Sequence, residues 1–361
     1  MIKKLITGVA VGLASVALVA TPSFAAPTSP GVLETINSSG GTSATDGLKI
    51  DVAFGNIQIG RQGGGQLFWH ENLPLQDVYA YGRVKNFPVV ALSYGTSPTN
   101  YLMVGSRSST NAKDWDSFTS ESALTDSGRS GTVINHLTYG SGTSLVTADF
   151  TISYTYPNQY FNVKFDLTGL GSDYSGGSHR LYWFADSYLG GSDRGFQFGG
   201  TTPGGQTVAG VYNEDGSLIE AFRQVAGQNL DWFAGQYECP YKGPYDVSWC
   251  GANVVAGGFT EALSAFPNTI ATRTTPVDNG FGVSSALSTA ATDSMTFDLI
   301  FDDCVDTSPL PCADGALGTE PAPALPDTGV DAATAISVTL GAIALVGLGV
   351  ALVLVRRRKQ A

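Results

Sequence analysis

The sequence predicts an all-β protein: one large antiparallel β-sandwich set between two apolar terminal segments. Three observations carry this. Apolar and polar residues alternate with period two through the middle of the chain, as in strands with one buried and one wet face. Glycine is frequent, 45 of 361 residues, and its clusters at 62–65 and 199–205 read as loops. Long helical patterns are absent outside the termini.

The strands follow in order. Leu48, Ile50, Val52 and Phe54 alternate with Lys49, Asp51 and Ala53. Ala148, Phe150, Ile152, Tyr154 and Tyr156 alternate with Asp149, Thr151, Ser153 and Thr155. After a Pro157-Asn158 turn, Phe161, Val163, Phe165 and Leu167 alternate with Asn162, Lys164 and Asp166, which completes a hairpin. Val208 to Asn213 and Ser217 to Phe222 flank Glu214-Asp215-Gly216, a second hairpin signal. Leu181 to Asp186 reads as a strand, and Met295, Phe297, Leu299 and Phe301 form the last one. No linker divides the body, so a single sandwich over 47–304 is expected.

Composition excludes several classes. Hydrophobic residues make up 43% of the chain, enough for a core and too many for a disordered protein. There are 31 acidic against 19 basic side chains, a formal net charge of −12, which excludes a basic nucleic-acid binder.

The ends exclude a soluble cytosolic enzyme. Lys3 and Lys4 precede the uncharged apolar run Leu5 to Val19, and Ser23-Phe24-Ala25 places small residues before a cut between Ala25 and Ala26. This is the pattern of a secretory signal peptide over 1–25. Ala332 to Val355 is a second uncharged apolar stretch, long enough to cross a bilayer as a helix. Arg356, Arg357, Arg358 and Lys359 follow it and hold the tail, 356–361, on the cytoplasmic side.

Just before this span stands Leu325-Pro326-Asp327-Thr328-Gly329. Leu-Pro-x-Thr-Gly, an apolar span and an arginine-rich tail together resemble the sorting signal of Gram-positive cell-wall surface proteins. The resemblance covers the termini only. It implies that a membrane sortase cuts between Thr328 and Gly329 through a thiolate acyl-enzyme. An amine of the peptidoglycan precursor then resolves that intermediate, so the partners implied are sortase and, covalently, peptidoglycan. The mature chain would run from Ala26 to Thr328, secreted and anchored in the wall. Residues 26–46, rich in Ser, Thr, Gly and Pro, read as a flexible lead-in, and 305–324 as a stalk. From Val305 to Thr328 the tether spans at most ~80 Å, so the folded part is expected close to its attachment point.

Cys239, Cys250, Cys304 and Cys312 all lie in the exported part, and an even count outside the cell suggests two disulfides. Three pairings can be drawn. The short-range set, Cys239–Cys250 and Cys304–Cys312, is favoured. A zinc site is the alternative, but no Cys-x-x-Cys pair supports it.

Catalytic spacing is sparse. Ala91-Leu92-Ser93-Tyr94-Gly95 approximates a nucleophile elbow, but no helix follows, and it reads as a strand end. His70, His136 and His179 have no metal-ligand spacing. Trp183, Asp186, Gly190, Gly191, Asp193 and Arg194 form the densest mixed cluster. There, Asp186 and Asp193 beside Trp183 could take a sugar by ring stacking, or Ca²⁺ through oxygen ligands. The loop lacks the Asp-x-Asp-x-Asp-Gly pattern, and a plain solvated turn is the competing reading. No other metal or cofactor is signalled. Trp69, Trp115, Trp232 and Trp249 are either a glycan platform or core fillers.

The first expectation is therefore an adhesive interaction domain that binds a glycan or a surface. The alternative is an anchored glycan-acting enzyme: a hydrolase, lyase or epimerase. A pilus subunit ranks last, because Val84-Lys85-Asn86-Phe87 does not match the Val-Tyr-Pro-Lys-like context of the family's shaft proteins. A deep cleft with convergent carboxylates would favour the enzyme, and a shallow aromatic face would favour binding.

Overall fold

The structure is a computed structural model. It describes residues 31–302 except 44, 62–64, 67–85, 95–99, 106–111, 203–204, 237–262 and 271–274. The described residues all fall within one compact unit.

The chain opens with β1 (Glu34–Ile36), β2 (Lys49–Ala53), β3 (Asn56–Gly60), β4 (Gly65–Gln66), β5 (Asn86–Ser93), β6 (Tyr101–Val104) and β7 (Ala112–Lys113). Four long strands follow, β8 (Ser117–Thr125), β9 (Ser130–Tyr139), β10 (Val146–Tyr154) and β11 (Tyr160–Leu170). Then come β12 (His179–Asp186), β13 (Tyr188–Leu189), β14 (Arg194–Thr201), β15 (Thr207–Asn213), β16 (Ile219–Gln224) and β17 (Asp231–Gln236). The last are β18 (Thr269–Ile270), β19 (Val277–Ser284) and β20 (Asp293–Asp302). Among the described residues helix is confined to single 3-10 turns at Asp126–Gly128, Gly142–Ser144 and Ser172–Tyr174. None of these helices is long and apolar enough to cross a membrane. The apolar segments at both termini lie outside the described residues.

β1–β2–β3 is a small antiparallel sheet, and β4 pairs with β13. The large ladder runs β7-β6-β5-β12-β19-β14-β15-β16-β20-β11-β10-β9-β8, with β17 and β18 attached at β19. At β14 and β19 it is joined through the pairs Arg194↔Asp278 and Gly195↔Val277. There the ladder folds over. Four strands lie between β12 and β20 along it, yet the ring of Trp183 packs against that of Phe297 with centroids 5.3 Å apart. Two layers with interdigitated inner faces are the sandwich that the alternation predicts.

The alternation explains which side chains go inside. In β10, Val146, Ala148, Phe150, Ile152 and Tyr154 are buried, and the residues between them are half-exposed. In β11, Phe161, Val163, Phe165 and Leu167 repeat the pattern in register. β12 is buried on both faces. Leu181, Trp183 and Ala185 join the main core, whereas Tyr182 and Phe184 join Val89, Ala91, Met103, Phe233 and Phe266 on the other side.

Two expectations change. Phe54 does not continue the second strand. Ala53 pairs with Asn56, and Phe54 and Gly55 both take positive φ, 56° and 75°, in the two-residue turn between them. Residues 31–46 are not wholly a flexible lead-in either. β1 pairs with β2, the Gly31 N–H donates to the Phe118 carbonyl at 2.9 Å, and the Ser120 hydroxyl donates to the Val32 carbonyl at 3.1 Å. The Ser/Thr-rich turn is tied by Asp46, whose carboxylate accepts from the backbone N–H groups of Thr42 and Ser43 and from the Thr42 hydroxyl. Those hydrogen bonds hold the Asp46 carboxyl below its usual range against the opposing effect of burial. Short polar side chains that bond their own backbone order a stretch whose composition alone looks like linker.

The register fixes a direction. Leu167 pairs with Asp293, Tyr160 with Ile300 and Ile219 with Asp302. β20 therefore enters at one end of the sandwich and leaves at the other, about 30 Å away for a strand of this length. The entry end also carries the end of β5, the start of β12, the end of β9 and the end of β11. The exit end carries the end of β12, the β15–β16 turn and the start of β19.

Because Trp183 links the layers with no exposed surface, Trp183→Ala should lose about 3–5 kcal/mol of unfolding free energy. Urea titration followed by circular dichroism measures this. A loss under 1 kcal/mol would mean that the layers do not depend on that contact.

Candidate functional site

The cluster that the sequence singles out is rearranged by the fold. Trp183 is fully buried between Phe281 and Phe297, so it offers no face to a sugar, and its proposed role in binding is corrected. Gly190 and Gly191 turn the chain at positive φ. Asp193 reaches the centre through its backbone: its carbonyl accepts the Asn279 N–H at 2.7 Å. The interior neighbour of Asp186 is Glu220, which the sequence reading passed over. The signal was there, because period-two alternation places Glu220 on the same face as the core residues Leu218 and Phe222.

The buried polar group at the exit end is built from both layers. Gln197 on β14 pairs across to Val211 on β15, and Val211 pairs to Glu220 on β16, so Gln197 and Glu220 share the inner face in one row. From the other layer, Gln236 on β17 pairs with Asn279 on β19. The Gln197 side-chain amide donates to Asn279 Oδ1 at 2.7 Å, and the Ser187 N–H donates to the Asn279 carbonyl at 3.0 Å. Asn279 thus ties Gln197 to Ser187. Glu220 has 0% exposed surface. Burial pushes its carboxyl well above the ordinary carboxylate range. The neighbouring Ser187 hydroxyl pulls it part of the way back, and the charge of Asp186 pushes it up again.

The entry end is different. Tyr94, just past β5, meets Tyr174 edge to face, with centroids 6.3 Å apart. Tyr94 is 38% exposed, the ring of Tyr174 is buried beneath it, and Tyr139 at the end of β9 is half-buried. Burial pushes the Tyr174 phenol up to about 12, with further contributions from Tyr139, Asp173 and Tyr94, so these four groups lie together. The Thr143 hydroxyl donates to Asp173 Oδ2 at 3.2 Å. Leu287, more than half exposed, stands at the same end beside the Ser288↔His179 bridge. Tyr94 is thus the exposed ring of this group, with Tyr174 buried beneath it and Asp173 and Thr143 close by.

The remaining candidates fall into structural roles or outside the described residues. Ser93 ends β5, where its hydroxyl donates to the Ser178 carbonyl and accepts the Ser178 N–H. Trp115 donates its indole N–H to the Pro88 carbonyl at 3.1 Å, and Trp232 packs over Gly199, where a Cβ would lie 2.7 Å from its ring. His136 lies on the wet face between Asp149 at 2.7 Å and Glu121 at 3.3 Å, whereas His179 is buried against Asp293 at 3.3 Å. The two do not converge. Among the described residues no group of three or more His, Cys, Asp or Glu could hold a metal ion. His70, Trp69, Trp249, the four cysteines, the Leu325–Gly329 motif, Ala25, Ala26 and the C-terminal cations lie outside the described residues.

Comparison with known families adds the chain's address. Residues 319–361 match the LPXTG cell wall anchor motif. The protein is secreted and anchored to the cell wall of a Gram-positive bacterium. The anchor implies processing by sortase and covalent linkage to peptidoglycan. No curated protein matches the chain.

The raised Glu220 carboxyl sets a pH dependence. Below the unfolded-state value of about 4.3 both states hold the proton. Above it the unfolded chain releases the proton while the folded state keeps it, so stability falls by about 1.4 kcal/mol per pH unit up to the folded value. Glu220→Gln should remove that slope. Urea unfolding of both proteins between pH 4.5 and 6.5 in chelator-treated buffer tests it, and parallel profiles would contradict it.

Proposed function

We propose that the protein is an adhesin: its sandwich binds a glycan, on a host or a neighbouring cell, through the exposed ring of Tyr94, backed by the buried Tyr174, and through the half-buried Tyr139. The observation that carries this reading is position. The segment leading to the anchor follows Asp302, at the exit end, and the aromatic face lies at the opposite end. The tether of at most ~80 Å therefore starts at the end of the sandwich remote from the tyrosines and leaves them clear of its attachment. A tyrosine ring covers the C–H face of a sugar while its hydroxyl meets water, and the rim groups Asp173 and Thr143 supply hydrogen bonds to sugar hydroxyls. The buried Asp186–Glu220 pair supports hydrolysis less well, because a glycosidic bond must reach both carboxyls.

Anchoring proceeds by the sorting signal. Pro326 fixes φ at its position in the recognition peptide. The sortase thiolate attacks the Thr328 carbonyl, the Thr328–Gly329 bond breaks, and an amine of the wall precursor takes the acyl group. The Ala332–Val355 span and the cations Arg356 to Lys359 hold the precursor in the membrane until then.

Two outcomes follow. Cells carrying Tyr94→Ala should lose about tenfold in affinity for the glycans that bind wild-type cells on an array, equivalent to about 1.4 kcal/mol. Unchanged affinity would remove Tyr94 from the site. Thr328→Ala should leave the protein in the detergent-soluble membrane fraction, whereas lysozyme alone releases the wild type. Equal release by lysozyme would refute the assigned cleavage bond.

A further inference from the structure

We propose that residues 303–312, the chain just past β20, dock on the outer face of the layer formed by β14, β15, β16, β20 and β11. That face carries an apolar cluster of its own, Phe198, Ile219, Ala221 and Ile300 among its members, flanked by Tyr160 and Tyr212. These alternate with Val211, Phe222, Leu299 and Phe301 of the main core, so they point away from it. The outer face of a sheet ordinarily meets water. Here Ala221 and Ile300 have no exposed surface, and Arg223, on the same face beside Asp298 and the ring of Tyr160, has 2%. Burial also raises the Tyr212 phenol above its ordinary value. Among the described residues the cluster draws only on the strands of this one layer. Neighbours on one sheet shield the flanks of a side chain and leave its top open, so the cover comes from elsewhere in the chain.

Position selects the segment. The stretches 67–85 and 237–262 begin and end beside the other layer: Gln66 pairs with Tyr188 and Asn86 with Ala185, while Gln236 pairs with Asn279 and Leu263 packs on that layer's outer cluster. The outer face of that layer has its own cover, because Phe266 meets Tyr182 and Phe184 edge to face and the Tyr182 hydroxyl donates to the Ser264 carbonyl at 2.7 Å. The N-terminal side enters at β8, with β9, β10 and β11 between it and β20. Asp302, in contrast, pairs with Ile219 of the patch itself. The patch runs about 13 Å from the row of Ile219 to that of Arg223, and Leu310, eight residues beyond Asp302, reaches at most roughly 28 Å from it. The segment has matching chemistry: Val305, Pro309, Leu310 and Pro311 are apolar, and prolines dock on aromatic-lined surfaces. The Cys304–Cys312 pairing expected from the sequence would return the chain to the exit end, where the free tether then starts. This inference uses none of the residues assigned to glycan binding, so it stands or falls separately from the adhesive reading.

The test is hydroxyl-radical footprinting of the full chain in mild detergent, read residue by residue by mass spectrometry. In wild type, Leu310 should oxidise several-fold more slowly than Leu317 further along the stalk, and Tyr212 several-fold more slowly than the exposed Tyr94. Leu310→Asp should raise oxidation of Phe198 and Tyr212 several-fold while the buried Trp183 stays unreactive, which reports that the sandwich is still folded. Equal oxidation of Leu310 and Leu317 in wild type would overturn the proposal, and that comparison needs no variant. Phe198 and Tyr212 unchanged in Leu310→Asp would overturn it too, as would protection that falls on dilution, which would place a second copy on the face.

Discussion

The sandwich turns on the packing of its layers, and at its centre the indole of Trp183 on β12 is set against Phe297 on β20. Four strands lie between these two along the ladder, so their contact exists because the sheet folds over at β14 and β19. From that closure the rest follows. The inner faces of β10, β11 and β20 find partners, the small sheet β1–β3 adds Ile50, Val52, Ile57 and Ile59 to the same core, and β20 is fixed between β16 and β11 with one direction. A chain that must leave at Asp302 has thereby acquired a near end and a far end.

The two ends differ in what they offer. The near end closes over polar groups contributed by both layers, centred on Asn279 and Glu220. The far end presents the ring of Tyr94 at the surface over the buried Tyr174, beside Asp173 and Thr143. Burial raises a titrating group at each end: desolvation pushes up Glu220, which has no exposed surface, and it pushes up Tyr174 beneath Tyr94. The chain continues toward its wall anchor from the near end, which leaves the far end clear of that attachment.

Much of the fold was legible in the sequence where neighbouring residues alternate on their own account. The β10–β11 hairpin and β20 are visible as period-two runs, the β15–β16 hairpin by its Glu214-Asp215-Gly216 turn, and β12 as the short apolar run Leu181–Asp186. The anchor was legible for a different reason: its three parts are contiguous and each has its own physical signature. Legibility failed where contacts are long-range. Trp183 beside Asp186 looked like a sugar platform because the sequence does not show that the opposite layer buries it. Glu220 was passed over because its neighbours Ser187 and Asp186 are more than thirty residues away in the sequence. Residues 31–46 looked like linker because the hydrogen bonds that order them run to Phe118, Leu48 and the Asp46 carboxylate, not along the strand pattern.

The central claim is that the end remote from the anchor is the working face. Whole cells that adhere to their glycan surface can be challenged with two Fab fragments, one against the 171–178 segment and one against the 213–218 turn. The account predicts that the first abolishes adherence and that the second leaves it intact. Adherence blocked by the second and untouched by the first would contradict it.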